Sequence, residues 1–351
     1  MSNEEHDRAG LVPSQSGALS RAGASSPLIR RGGQDLLERA EAEEWLKRGR
    51  ELYAQRRYEE SVECFRRGLQ LDPCRAHLQL YLGCAYWECQ GGPQDYTEAA
   101  FWFRKAAEQG SSAAQFNLGL AYAEGCGVPQ DFTESALWYR RAAEQGQADA
   151  QINLGACYAK GRGVAEDYQQ AFAWYRKAAE QDQADAQHNL GTIYAHGRGV
   201  PQDYAEAAFW FRKAAEQGYA RAQYELALAF DKGRGVPQDF TESALWYRRA
   251  AEQGDADAQF NLGIAYSIGE GVLRDHSQAA FWYRKAAEQG LSIAAHNLGC
   301  AYQDGRGVPR DEAQAAFWFG KATSQGHEDA KRELHAMLRE AGSDEPTNVG
   351  G

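Results

Sequence analysis

The chain has 351 residues, with 38 Lys and Arg against 49 Asp and Glu, a formal net charge of −11 and a pI near 5.3. That balance excludes a nucleic-acid binder built on a basic footprint, because phosphate contacts need clustered Lys and Arg. No run approaches the roughly 18 apolar residues that cross a bilayer, and residues 1–31 carry Glu4, Glu5 and Asp7 with no apolar core, unlike a secretory signal peptide.

Residues 1–34 are rich in Ser, Gly and Ala, and their apolar residues have no helical period, so a disordered tail is expected. A stretch such as Ser14–Ser26 also admits a non-cleaved export signal. The seven cysteines, Cys64, Cys74, Cys84, Cys89, Cys126, Cys157 and Cys300, are odd in number and out of register with one another. A reducing, cytoplasmic setting fits them best.

Residues 41–75 form the first structured unit. Trp45, Gly49, Phe65 and Pro73 match the tetratricopeptide pattern. Arg48 departs from its leucine, Leu52 takes the aromatic place with Tyr53 beside it, and Ser61 replaces alanine. One helical hairpin is predicted.

From residue 76 to 327 one motif returns every 36 residues, marked by Trp102, Trp138, Trp174, Trp210, Trp246, Trp282 and Trp318. Self-similarity at such a period signals a stacked array rather than one globular core. The units start near Ala76, Ser112, Ala148, Ala184, Ala220, Ala256 and Ser292, and each reads as helix, glycine turn, helix. In the first helix Leu118 and Tyr122 lie four apart on one face, with the small Gly119 allowing close approach. Gly125 and Gly127 permit positive φ and stop that helix, and Pro129 cannot continue it. Asp131 is a good N-cap, and Glu134 three residues on suggests a capping box reaching back to it. The second helix ends at Gln-Gly, with Asp182 once in place of the glycine. Arg104 and Arg140 have Glu108 and Glu144 four residues on, within ion-pair reach on a solvated face. Residues 328–341 read as a polar capping helix and 342–351 as a short disordered end.

This spacing resembles the Sel-one-like repeat family, relatives of tetratricopeptide repeats with a longer turn. The resemblance covers residues 76–327, the first unit being degenerate: Cys89, Gln90 and Gly92 stand where later units have Gly, a variable residue and Val. It implies an all-α, right-handed α-solenoid used as a protein-interaction scaffold. Such relatives include bacterial host-interaction, immunity and signalling proteins and eukaryotic degradation adaptors. They share a fold and not a chemistry. Cysteine-rich relatives have a regular disulfide in every unit, a pattern absent here.

Carrying over the tetratricopeptide register, with Gly83 and Gly119 as position eight, the first helices line a concave groove. The fifth position gives Leu80, Phe116, Ile152, His188, Tyr224, Phe260 and His296. Leu120, Leu228 and Ile264 stand at the ninth, Trp87 at the twelfth and His196 at the thirteenth. A protein or peptide partner on an apolar, partly aromatic floor is expected, with His188, Tyr224 and His296 exposed to it. The opposing reading packs the fifth position between adjacent first helices. A block of three units is also duplicated: residues 127–146 recur unchanged at 235–254.

No residue set supports catalysis, a cofactor or a metal. The glycine turns join two helices and lack the Lys-Ser/Thr of a phosphate loop. His188 and His196 lie on one helix with no cysteine pair nearby. The expected function is a non-catalytic scaffold or adaptor, in its narrowest form a bacterial cytoplasmic regulator or immunity protein. The alternative is a secreted effector that binds host proteins.

Overall fold

The computed structural model describes residues 27–88 and 95–343, all helices and turns. The N-terminal hairpin pairs α1 (Pro27–Ala54) with α2 (Tyr58–Leu71). Seven hairpins follow: α3 (Ala76–Glu88) with α4 (Tyr96–Glu108), α5 (Ser112–Glu124) with α6 (Phe132–Glu144), α7 (Ala148–Lys160) with α8 (Tyr168–Ala179), and α9 (Ala184–His196) with α10 (Tyr204–Glu216). The last three are α11 (Ala220–Lys232) with α12 (Phe240–Glu252), α13 (Ala256–Ile268) with α14 (His276–Glu288), and α15 (Ser292–Asp304) with α16 (Glu312–Ser324). Helix α17 (Glu328–Ser343) closes the array. Each helix packs mainly on the next in sequence, which makes the molecule an α-solenoid.

Two boundaries differ from those expected. Residues 27–34, assigned to the tail on composition, belong to α1, because Pro27 suits a first helical turn and an established helix extends at little cost. The final helix likewise continues through 342–343. Residues 1–26, the degenerate turn at Cys89, Gln90 and Gly92, and residues 344–351 lie outside the described residues.

The hairpins are built as their residues dictate. Asp131 caps α6, its Oδ1 accepting from the N–H groups of Thr133 at 2.8 Å and Glu134 at 3.1 Å. The capping box does not form. The Asp131 N–H already donates to the Tyr122 carbonyl at 3.0 Å. Glu134 turns forward instead and accepts from Trp138 Nε1 at 3.1 Å, which places the recurrent tryptophan. Gly119 faces the ring of Tyr139 on its partner helix: a Cβ there would stand 2.7 Å from Cδ1. Gly127 has φ +71°, and a Cβ on it would overlap the carbonyl of Tyr96 in the preceding unit. The second turn glycine is therefore a contact between units as well as a bend.

A polar tie also joins the units. Gln145 Nε2 donates to Gln115 Oε1 at 2.7 Å, and Gln115 Nε2 donates to the Ala107 carbonyl at 3.1 Å. The side-chain bond recurs from Gln109–Gln79 to Gln289–Gln259 at 2.7–2.9 Å. It ends at the last unit, where Ala295 takes the glutamine's place. Each tie satisfies a buried amide that would be costly to leave unpaired.

The expected Arg–Glu ion pairs form once, between Arg176 and Glu180 at 3.0 Å. Arg104, Arg140, Arg248 and Arg284 instead reach a tyrosine hydroxyl of the following unit, as Arg140 does to Tyr158 at 2.5 Å and Arg248 to Tyr266 at 2.6 Å. The hydroxyl competes well because the guanidinium also stacks on the ring, 5.9 Å from its centroid in both pairs.

Candidate functional site

The first helices α3, α5, α7, α9, α11, α13 and α15 turn one continuous strip to solvent. Their fifth, ninth and twelfth positions are half-buried in every unit, and the thirteenth is exposed from Glu124 onward. Helical spacing sets this strip on one face, while Leu82, Leu118, Leu154, Leu190, Leu226, Leu262 and Leu298 point inward and are fully buried.

The floor is more tightly seated than an exposed row. Each aromatic fifth-position ring lies against a ring of its own second helix. Centroids are 5.8 Å apart for Phe116–Tyr139, 5.9 Å for Tyr224–Tyr247 and 5.9 Å for Phe260–Tyr283. His188 sits between Phe211 at 5.8 Å and Tyr219 at 5.3 Å, and burial, then the Arg221 charge, lowers its pKa to about 4. It is neutral at physiological pH and acts as an aromatic floor residue. His296 packs on Phe319 at 5.7 Å and stacks on His327 at 4.8 Å. The expected exposure of His188, Tyr224 and His296 is thus corrected to half-burial, because the partner helix supplies a ring for each to rest on.

Leu80 and Ile152 pack partly into the core, as does Ile264, while Leu120 and Leu228 are half-buried in the strip between fifth-position neighbours. Trp87 departs most from a groove residue. Its ring meets Tyr96 edge-on at 4.9 Å and Phe103 at 6.0 Å, so it seals the first hairpin. His196 is exposed, its Nδ1–H donating to the Thr192 carbonyl at 2.8 Å.

Charge concentrates in one place. Arg221 lies 3.1 Å from Asp257, 3.6 Å from Glu225 and 3.7 Å from Asp255, with its guanidinium 4.7 Å from the Tyr224 ring centroid. Reading the fifth, ninth, twelfth and thirteenth positions missed this network. Its signal was visible as departures of one unit from the recurring Asp and Asn. Among the described residues no group of three or more His, Cys, Asp or Glu is arranged to hold a metal ion. Burial, then Glu88, pushes the Cys84 thiol up to about 12, so it is a poor nucleophile at neutral pH. No helix is long and apolar enough to cross a membrane, among the described residues.

The Sel1 repeat model matches the chain seven times without a gap, at 76–111, 112–147, 148–183, 184–219, 220–255, 256–291 and 292–327. The chain belongs to the Sel1 repeat family. A tetratricopeptide repeat matches residues 42–73, ahead of the Sel1 units. A protective antigen present in uropathogenic Escherichia coli strains, with an SLR fold, is 36% identical with TM-score 0.79 over 90% of this chain and 68% of its own. A Sel1 repeat protein from Oxalobacter formigenes is 34% identical with TM-score 0.68 over 90% of this chain and 91% of its own. No curated protein matches the sequence. Sel1 solenoids are characteristically protein-interaction scaffolds, and it is the strip on their first helices that differs from unit to unit here.

Proposed function

We propose that this Sel1 protein is a non-catalytic scaffold that holds a protein or peptide partner along its first-helix groove. One observation carries the reading: the half-buried strip is continuous through all seven units, yet its residues change from unit to unit. The outer face does the opposite. Phe101, Phe209, Phe281 and Phe317 recur at one second-helix position, with Leu137 and Leu245 at two others and Ala173 at the seventh. Specificity is encoded where residues vary. The groove residues assigned to the partner are Phe116, Leu120, Ile152, His188, Tyr224, Leu228, Phe260, Ile264 and His296, with His196 at its exposed edge.

The test is Phe116→Ala, Tyr224→Ala and Phe260→Ala together. Affinity purification with mass spectrometry identifies the partner on the wild-type chain. The triple variant is expected to bind it at least a hundredfold more weakly, since buried aromatic anchors dominate interface energies. Unchanged affinity in a variant with wild-type helicity rejects the groove.

The narrowest form of the reading is a bacterial cytoplasmic adaptor, regulator or immunity protein, in keeping with the bacterial source of both relatives. The secreted effector is the second reading, favoured by the description of one relative as a protective antigen. An export assay with a fusion reporter separates the two.

A further inference from the structure

The outer face of the array carries four parallel rows, one residue of each in every unit. Phe101, Leu137, Phe209, Leu245, Phe281 and Phe317 make the first, 41–59% exposed. Four residues on stands a cation in every unit, from Lys105 and Arg141 to Lys321, and three further on a glutamate, from Glu108 to Glu288. Offsets of four and three keep these rows on one helix face. Two residues beyond the glutamate the chain turns at a glycine, with φ between +85° and +98° from Gly110 to Gly326. A Cβ on Gly110, Gly146, Gly218 or Gly254 would meet no atom within 4 Å, so this turn is a bare shelf of main chain.

The charged rows are held in place without neutralising each other. Each cation rests on a ring of its own helix, 4.0–5.8 Å from the centroid, and not on the glutamate beside it. Among the described residues Glu180 alone of the acidic row is ion-paired, with Arg176 at 3.0 Å. The third unit breaks two rows together: Ala173 stands where the others have Phe or Leu, and Asp182 where they have glycine. A turn without a bare shelf accompanies a helix without a large apolar side chain. That joint change is expected if the apolar residue of one copy seats on the turn of the same unit in another. The order of the rows allows it. A two-fold axis in the contact plane, crossing the second helices near Ala106 and running along the array, reverses that order. Apolar side chains then fall on glycine turns and Lys or Arg on Glu, each to within about 1.5 Å along the helix. An axis running along the helices instead would lay Lys on Lys and Glu on Glu, which like-charge repulsion disfavours.

We infer that this outer face docks a second copy of the same chain, in a two-fold pair in which every unit meets its own counterpart. Lys105 and Arg141 of one copy lie against Glu108 and Glu144 of the other, and Phe101 seats over Gly110. Exposed ion pairs are individually weak, so the charged rows set the register while the apolar residues over bare main chain supply the buried surface. The pair leaves the first-helix strip uncovered and does not depend on what that strip binds.

Sedimentation velocity on the purified full chain is expected to show a dimer. Two charge-reversal variants then test the register. Lys105→Glu with Arg141→Glu, Arg249→Glu and Lys285→Glu sets acid against acid. Glu108→Lys with Glu144→Lys, Glu252→Lys and Glu288→Lys sets base against base. Each alone should be monomeric with wild-type helicity, and an equimolar mixture of the two should form a heterodimer that weakens with added salt. Phe101→Ser with Phe209→Ser and Phe281→Ser should weaken dimerisation about tenfold or more. Carbodiimide cross-linking of mixed light and heavy-nitrogen wild-type chains needs no variant, and should join Lys105 of one copy to Glu108 of the other. The inference is overturned by a wild-type chain still monomeric at about 100 μM, or by a dimer that survives both reversals. It is equally overturned if the two folded variants stay monomeric when mixed, or if cross-links between copies avoid the charged rows.

Discussion

The units at 112–147 and 220–255 are identical over 127–146 and 235–254, and every difference between them lies outside that block. Helices α6 and α12 bury the same set, from Ser135 to Ala143 in one and from Ser243 to Ala251 in the other. Helices α5 and α11 differ on the groove strip: Phe116 becomes Tyr224, Asn117 becomes Glu225, Ala123 becomes Asp231 and Glu124 becomes Lys232. They also differ against their neighbours, where Gly119 becomes Ala227 and Tyr122 becomes Phe230. The contrast separates two jobs within one hairpin. The turn and outer helix hold the spacing of the array, and the inner helix is free to change what the array presents.

If that division is right, matched substitutions in the shared half should cost the same in both units. The largest effect is expected from Gly127→Ala and Gly235→Ala. Each glycine has positive φ, +71° and +75°, and backs onto a carbonyl, that of Tyr96 or Tyr204. Strain and overlap together should remove about 3 kcal/mol, seen as a fall in the urea midpoint. Costs differing between the two by more than about 1 kcal/mol would mean that the units are not mechanically equivalent.

Next come Gln115→Ala and Gln223→Ala. Each removes two side-chain hydrogen bonds, that from Gln145 or Gln253 and that to the Ala107 or Ala215 carbonyl of the preceding unit, and leaves the space of a buried glutamine side chain. About 1–3 kcal/mol should be lost, and amide hydrogen exchange should rise in the two units that the tie joins. Loss of the caps in Asp131→Ala and Asp239→Ala should cost about 1 kcal/mol each, measured the same way. The smallest effect is a gain that sharpens the inner-helix contrast. Arg212 faces the Phe230 ring at 5.5 Å where other units offer a hydroxyl. Phe230→Tyr should stabilise by about 0.5–1 kcal/mol. No gain in the unfolding midpoint would show that ring stacking, and not the hydroxyl, carries the contact in the other units.

What was legible in the sequence was local. Asp131 before an apolar helix, Gly125 and Gly127 at a bend, and Trp138 returning as Trp174 and Trp210 each state their role within a few residues. Contacts that cross between units were not legible. Gln115 reaches the Ala107 carbonyl of the preceding unit, and nothing near either predicts it. Glu134 has the spacing of a capping box, but the helix ahead had already satisfied the N–H that it would have taken. The groove was legible as a register and not as an environment. Position five could be found by counting, but the rings of Tyr139, Phe211 and Phe319 that seat it come from another helix. Trp87 is likewise seated on Tyr96 and Phe103 of another helix.

The glutamine tie has a consequence for how such a molecule changes size. From Gln115 to Gln259 each position-four glutamine donates to the same carbonyl of the preceding unit, so excising or inserting whole units leaves each remaining joint intact. Length is then a dial that recombination can turn in steps, without redesigning a single contact. The dial has a stop at one end. Ala295 has no side-chain amide to give the Ala287 carbonyl, so the seam between the last two units is closed without this fastening.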